Sequence, residues 1–75
     1  MNSTSLIDER ERQFAAALKA DGLRMTHQRL EVIRELARAT DHPDVDTIFR
    51  AVRDRVPTIS LDTVYRTLGT LEARG

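Results

Sequence analysis

Apolar residues recur every three or four positions in four segments of the chain, and short breaker sequences separate these segments. This spacing lines one face of an α-helix with apolar side chains and is typical of amphipathic helices. We therefore expect four helices, at about residues 6–21, 27–39, 45–55 and 61–74. Because no segment alternates polar and apolar residues convincingly, as a half-buried strand would, the residues present are predicted to form an all-α fold.

Length and composition exclude several classes of protein. The 75 residues suffice for one small domain with a single core, and the absence of cysteine excludes disulfide scaffolds and thiolate-bound metal sites. No apolar run approaches the roughly 20 residues of a membrane span, and the N-terminus lacks the apolar stretch of a signal peptide. We therefore expect a cytoplasmic protein that makes no membrane contact.

Local capping signals predict where the helices begin and end. Ser5 and Asp8 resemble a capping box for the first helix, and Gly22 is suited to end it. The expected N-caps of the three later helices are Thr26, Asp44 and Ser60. In the expected core, Leu61, Val64, Leu68 and Leu71 pack on Ile33, Leu36, Ile48 and Val52.

The third and fourth predicted helices, joined by the short turn 56–59, match the pattern of a helix-turn-helix motif. The second helix of such a motif presents its outer face to the major groove of DNA. On that face Arg66 can donate two hydrogen bonds to guanine, and Tyr65 can contact the methyl group of thymine. Hydroxyl groups that can bond to phosphates or bases belong to Ser60, Thr63, Thr67 and Thr70.

Other interpretations of the same residues stay open at this point. Tyr65 can be a ring at the edge of the core, and Arg66 can pair with Asp62 one helical turn away. The 12 basic and 12 acidic residues give a net charge of zero, which argues against a broadly basic surface. A module that binds another protein through the same fold is therefore the alternative to DNA binding. An enzyme is not expected, because the chain has neither a supported nucleophile–histidine–acid set nor a phosphate-binding glycine loop.

Three motifs resemble the ferric uptake regulator family. Residues 60–68, SLDTVYRTL, resemble its recognition helix, in which Thr-Val-Tyr-Arg or Thr-Val-Tyr-Asn is followed by Leu. Residues 23–29, LRMTHQR, resemble the Leu-[Lys/Arg]-x-Thr-x-x-Arg opening of its second helix. Residues 42–49, HPDVDTIF, resemble its His-x-[Ser/Thr]-Ala-x-x-[Ile/Leu]-Tyr segment. In this last motif Asp44, Val45 and Phe49 replace the Ser/Thr, Ala and Tyr of the family.

The resemblance implies a helix-turn-helix of the winged-helix type with an extra N-terminal helix, and a wing hairpin that would follow Gly75. It also implies a bacterial repressor whose dimers bind AT-rich palindromic operators in double-stranded DNA when loaded with a divalent metal such as iron, manganese or zinc. Residues 1–75 then correspond to the N-terminal DNA-binding domain as a fragment. No cofactor is expected in this fragment, and homodimers are expected only with a C-terminal domain.

The resemblance also implies roles for individual residues. Tyr65 and Arg66 match the base-contacting pair, and Arg24 matches a basic residue that reaches the minor groove. His42 matches a ligand of the regulatory metal, a role expected only in a full-length protein, and His42-Pro43 is closest to the peroxide-sensing branch. The predicted DNA-binding residues are Arg24, Ser60, Thr63, Tyr65, Arg66 and Thr67.

Overall fold

A computed structural model describes residues 3–74 of the chain. Within this range four helices follow one another: α1 (Ser3–Ala20), α2 (His27–Arg38), α3 (Val45–Arg53) and α4 (Leu61–Arg74). These residues form no β-strand, so the predicted all-α fold is confirmed. No helix in the same range is long and apolar enough to cross a membrane.

The predicted helix boundaries hold to within two or three residues. The largest difference is at the start of α1, which begins at Ser3 rather than near residue 6. Ser5 therefore lies inside the helix, and its predicted role in a capping box with Asp8 is wrong. The predicted ends of α1 and α2 are one residue too long and that of α3 is two residues too long, since frayed last turns leave little signal in the sequence.

The three predicted N-caps are confirmed by their hydrogen bonds. In each case the side-chain oxygen accepts a bond from the backbone N–H three residues further on, which satisfies a donor that the helix leaves unpaired. These bonds join Thr26 to Arg29 at 3.2 Å, Asp44 to Thr47 at 2.8 Å, and Ser60 to Thr63 at 3.1 Å.

A glycine ends α1, as the sequence predicts. Gly22 has a φ of +80°, in the left-handed region that other residues rarely adopt. Its N–H donates to the carbonyl of Lys19 at 2.9 Å, and the N–H of Leu23 donates to the carbonyl of Leu18 at 3.0 Å. This pair of bonds is a Schellman motif, which turns the chain sharply towards α2.

The core lies between α2, α3, α4 and the turn that joins the last two helices. Its central cluster consists of Val32, Ile48, Val52, Val56, Ile59 and Val64, with Val45, Phe49 and Leu68 partly buried against it. Ile33 is also fully buried, whereas Leu36 and Leu71 are only partly buried. Most of the predicted core is thus confirmed, and Val32, Val56 and Ile59 are additions that the periodicity of α4 and α2 did not single out.

One predicted core residue is on the surface. Leu61, the first residue of α4, is 51% exposed. The buried face of α4 is centred on Val64 and Thr67, and Ile59 of the preceding turn is buried in the core. The prediction that Leu61 packs in the core is therefore wrong.

The turn between α3 and α4 is anchored to the core by two buried side chains. Val56 and Ile59 are both buried, and the N–H of Ile59 donates to the carbonyl of Val56 at 3.0 Å. Pro57 and Thr58 lie between them on the surface. Because α4 packs against α1, α2 and α3, this anchored turn fixes the direction in which α4 leaves the core.

Candidate nucleic-acid interface

The outer face of α4 presents the aromatic and basic residues that the sequence analysis singled out. The Tyr65 side chain is directed away from the core, with 66% of the residue exposed. The neighbouring Arg66 side chain is 72% exposed. Since Val64 and Thr67 on the opposite face are fully buried, α4 is oriented unambiguously, and Tyr65 is not a ring at the edge of the core.

Arg66 is paired within its own helix. Its Nε lies 3.0 Å from Oδ2 of Asp62, one turn earlier, and both side chains are largely exposed. Exposed pairs of this spacing contribute only about 0.3–0.5 kcal/mol to folding. The guanidinium of Arg66 therefore stays at the surface, where a ligand can bind it.

The first turn of α4 carries two hydroxyl groups that serve the helix itself. The Oγ of Ser60 accepts the N–H of Thr63 and lies 2.9 Å from the Oγ1 of Thr63. Ser60 is exposed and Thr63 is partly buried. Backbone N–H groups at this end of the helix, together with the helix dipole, favour an anion such as a phosphate.

Of the predicted DNA-binding residues, Thr67 is the one whose side chain is buried. It is fully buried, and its Oγ1 donates to the carbonyl of Thr63 at 2.7 Å. An intrahelical bond of this kind satisfies the hydroxyl, so a threonine can occupy a core position at little cost. The prediction that the Thr67 side chain contacts DNA is corrected accordingly.

Arg24 lies apart from α4, in the loop between α1 and α2, and it is exposed. Its carbonyl oxygen accepts a bond from Nη1 of Arg29 at 2.6 Å, which fixes the loop backbone while leaving the Arg24 side chain directed to the surface. The structure thus groups Ser60, Thr63, Tyr65 and Arg66 on one helix and places Arg24 on a separate element.

A buried carboxylate that the sequence analysis missed anchors the approach to α4. Glu31 of α2 is only 8% exposed. Its Oε2 accepts from Nε of Arg55 at 3.1 Å and its Oε1 accepts from Nη1 of Arg34 at 3.2 Å. Arg55 also donates to Glu35 at 3.1 Å, and Arg34 pairs with Glu11 of α1 at 3.4 Å. Because Arg55 immediately precedes the α3–α4 turn, this network ties the turn to α2 and α1.

The charges in this network keep one another ionised. Burial raises the pKa of Glu31, but hydrogen bonds and charge from Arg55 and Arg34 outweigh it, so the pKa lies below its ordinary value of 4.5. Burial likewise lowers the pKa of Arg55, but Glu35 and Glu31 raise it more. The sequence gives one hint of the network, because Glu31 lies between apolar positions of α2. Its partner Arg55 is 24 positions away, so no local pattern connects the two residues.

His42 lies in the exposed loop between α2 and α3. It borders an open groove whose other walls include Phe14, Leu36, Leu68 and Leu71. Within residues 3–74, no three histidine, aspartate or glutamate side chains are grouped closely enough to hold a metal ion. A first-row metal takes about four ligands in proteins, and His42 is a single candidate ligand.

Comparison with known proteins identifies relatives of the chain. The family model of the ferric uptake regulator family matches residues 20–75. The ferric uptake regulation protein of Brucella abortus is 43% identical over 62 residues, which cover 83% of this chain and 44% of that protein. The peroxide-responsive repressor PerR of Staphylococcus epidermidis is 36% identical, with 83% of this chain and 41% of that protein covered.

The peroxide operon regulator of Bacillus subtilis is 34% identical over 58 residues, which cover 77% of this chain and 40% of that protein. No solved structure matches the chain significantly. The chain spans less than half the length of the curated relatives described above.

Proposed function

Because the chain belongs to the ferric uptake regulator family, a family of transcriptional regulators, we propose that it is the DNA-binding domain of a metal-responsive repressor. One observation carries the proposal: α4 buries Val64 and Thr67 on one face and presents Tyr65 and Arg66 on the other. In this proposal residues 1–75 form one winged-helix domain that acts in the cytoplasm on double-stranded DNA and catalyses no reaction.

In the proposed complex α4 lies in the major groove. Arg66 donates to the O6 and N7 atoms of a guanine, a bidentate contact that distinguishes guanine from other bases. Tyr65 lies against a neighbouring base, where its ring can cover a thymine methyl group. Ser60 and Thr63, at the N-terminus of α4, lie near the phosphates, which position the helix without reading sequence.

Arg24 supplies a second contact in this proposal. A cation on the loop before α2 suits the narrow minor groove of AT-rich DNA, where the negative potential is strongest. Because the 12 basic residues of the chain are balanced by 12 acidic ones, affinity for DNA depends on where each cation is placed.

Regulation by metal belongs in this proposal to a full-length protein. There, homodimerisation would place two α4 helices on the halves of an AT-rich palindrome. His42 would contribute one ligand to a divalent iron, manganese or zinc ion, completed by residues outside this chain. The similarity to a ferric uptake regulation protein and to a peroxide-responsive repressor supports a signal of this kind.

A titration against salt tests the proposal. Fluorescence anisotropy of labelled duplex DNA is followed as the chain is added at several salt concentrations. We expect the affinity of the isolated chain to be in the range of about 10⁻⁴ to 10⁻⁶ M at physiological salt and to fall steeply as salt rises. Binding that is absent at low salt, or that is insensitive to salt, would contradict DNA binding.

One observation favours the alternative, a module that binds another protein. Leu61 and Tyr65 are both exposed and lie four residues apart, so they are neighbours on the surface of α4. Exposed apolar pairs of this kind are typical of helices that dock into protein grooves. An apolar interface would change little with salt, and the same titration therefore separates the two functions.

A further inference from the structure

An acidic side chain lies on the face of α4 that the proposed function turns towards DNA. Asp62 is in the first turn of this helix, four residues before Arg66. Its carboxylate is 68% exposed and carries the same charge as the phosphates that the helix approaches. Asp62 must therefore weaken attraction to DNA of any sequence, and its presence needs an explanation.

The stability of the helix does not explain why Asp62 contacts Arg66. The Asp62–Arg66 pair is exposed to solvent, where ion pairs add little to folding and are screened by salt. The start of α4 is already capped by Ser60, whose Oγ accepts the N–H of Thr63. An aspartate near a helix N-terminus interacts favourably with the helix dipole, but that effect does not require contact with Arg66.

The atoms involved suggest a role in recognition. Asp62 holds Arg66 through Nε, on one side of the planar guanidinium. The two terminal nitrogens, Nη1 and Nη2, form a different edge, and that edge can donate two parallel bonds to O6 and N7 of guanine. The pair thus occupies the part of Arg66 that the guanine does not need, and it restricts the rotation of a long side chain before DNA arrives.

We propose that Asp62 is a specificity-determining residue, which positions Arg66 to read guanine and, through its charge, weakens binding to all other sequences. This inference rests on the proposed function, because it requires α4 to enter the major groove. Asp62 contacts no base in this scheme and acts through Arg66.

A matched control is present in α3. Asp46 and Arg50 form a pair with the same spacing, in which Oδ2 and Nη2 are 2.8 Å apart and both side chains are largely exposed. Asp46→Asn and Asp62→Asn remove the same charge and the same type of ion pair from neighbouring helices. Only the second variant changes a residue that contacts Arg66.

The experiment first selects duplexes bound by the unaltered chain from a randomised pool at low salt. Anisotropy then measures the ratio of affinities for the best selected duplex and for a scrambled duplex of the same composition. For Asp62→Asn we expect this ratio to fall by about twofold, which is the factor that an exposed ion pair of this spacing can contribute, while binding to the scrambled duplex becomes tighter. Asp46→Asn should leave the ratio unchanged, and circular dichroism should show both variants to be folded.

A double-mutant cycle tests whether Asp62 acts through Arg66. In an Arg66→Ala background, Asp62→Asn should no longer change the affinity ratio, because the side chain that it positions is gone. The inference is overturned if Asp62→Asn leaves the ratio unchanged, if Asp46→Asn lowers it equally, or if the effect persists without Arg66. If the unaltered chain enriches no sequence at all, the proposed function fails and the inference fails with it.

Discussion

Nε of Arg55 donates a hydrogen bond to Oε2 of Glu31 at 3.1 Å, joining the residue that precedes the α3–α4 turn to the buried side of α2. Arg34 and Glu35 complete the charges around this bond, so neither ion is left without compensation. This bond holds the α3–α4 turn against α2, and the turn sets the direction in which α4 continues. The position of the candidate DNA-reading face is thus set in part by an ion pair that does not belong to it.

Replacing Arg55 tests this connection. Arg55→Met keeps most of the apolar stem but leaves the buried Glu31 with fewer donors, so we expect a loss of about 1–3 kcal/mol in the free energy of unfolding. Urea denaturation measures this loss. As a control, Arg50→Met breaks an exposed pair on α3 and should cost under about 0.5 kcal/mol. Equal losses for the two variants would show that the Glu31 bond does not stabilise the fold.

Stability should also depend on Glu31 as the pH falls. The folded-state pKa of Glu31 is lowered, since bonds and charge from Arg55 and Arg34 outweigh the opposing effect of burial. The unfolded chain therefore takes up the proton first, and the stabilisation that is present above about pH 4.5 is lost as the pH falls further.

The comparison of unfolding free energies between about pH 6 and pH 3 measures this dependence. Glu31→Gln removes the titrating group, so its stability should decline less steeply with acid than that of the unaltered chain. Some decline should remain, because a hydrogen bond from the Thr47 N–H also lowers the pKa of Asp44. Identical acid slopes for both chains would refute the contribution of Glu31.

Two leucines on α4 provide a matched test of the core. Leu68 is packed against the central cluster, whereas Leu61 is mostly exposed. Leu68→Ala should therefore cost about 2–3 kcal/mol, near the low end for a leucine because the side chain is only partly buried, and Leu61→Ala should cost under about 1 kcal/mol. Thermal unfolding followed by circular dichroism would reveal the difference, and the reverse order would mean that α4 is rotated from the orientation described.

The comparison of Leu61 with Thr67 shows how far the sequence predicts the fold. Apolar spacing and capping residues are local signals, and they located α2, α3 and α4 to within two residues. Which turn of a helix reaches the core depends on neighbouring elements, so the apolar spacing alone does not show that Leu61 is exposed while Ile59 is buried. Thr67 is polar by type but buried, because its hydroxyl is satisfied within the helix at the carbonyl of Thr63.

The residues of the candidate site also differ in how well the sequence predicts them. Tyr65 and Arg66 are found on the exposed face because their positions follow from the phase of one helix. The bond between Glu31 and Arg55 joins positions 24 residues apart, and nothing in either local sequence specifies the other. Residues that present a site can therefore be predicted from the chain more readily than residues that hold it in place.

Arg66 carries the proposed base readout. Arg66→Ala should cost about 1–3 kcal/mol of binding free energy on a selected duplex and relax the preference at one base pair. Arg12→Ala removes an equal charge from an exposed position on α1 and should lower the affinities for selected and scrambled duplexes by the same factor, if it lowers them at all. Anisotropy titrations with both duplexes decide the matter. An equal loss on both duplexes for Arg66→Ala would show that Arg66 contacts only phosphate.

Arg24 should behave differently from Arg66. Arg24→Ala is expected to weaken binding mainly on duplexes whose flanking base pairs are AT-rich, since the narrow minor groove there attracts a cation. Paired titrations with AT-rich and GC-rich flanks around the same central sequence measure this effect. A loss that is the same for both flanks would place Arg24 at the phosphates rather than in the minor groove.

Metal ions should have little effect on this chain alone. Metal can change DNA affinity only by binding two states of the protein unequally, and residues 3–74 contain no group of three ligands that would hold one. We expect titrations with and without added Mn²⁺ to give the same affinity within about twofold. Tight, metal-dependent DNA binding by these residues would show that the sensor lies within them.

The most direct measurement maps the DNA contact onto the chain itself. Backbone amide shifts of an isotope-labelled chain are followed by NMR while a selected duplex is added at low salt. We expect the largest saturable changes at residues 60–66 of α4 and its cap, and at the loop around Arg24. Changes confined to α1, or no saturable change at all, would contradict the claim that the exposed face of α4 reads DNA.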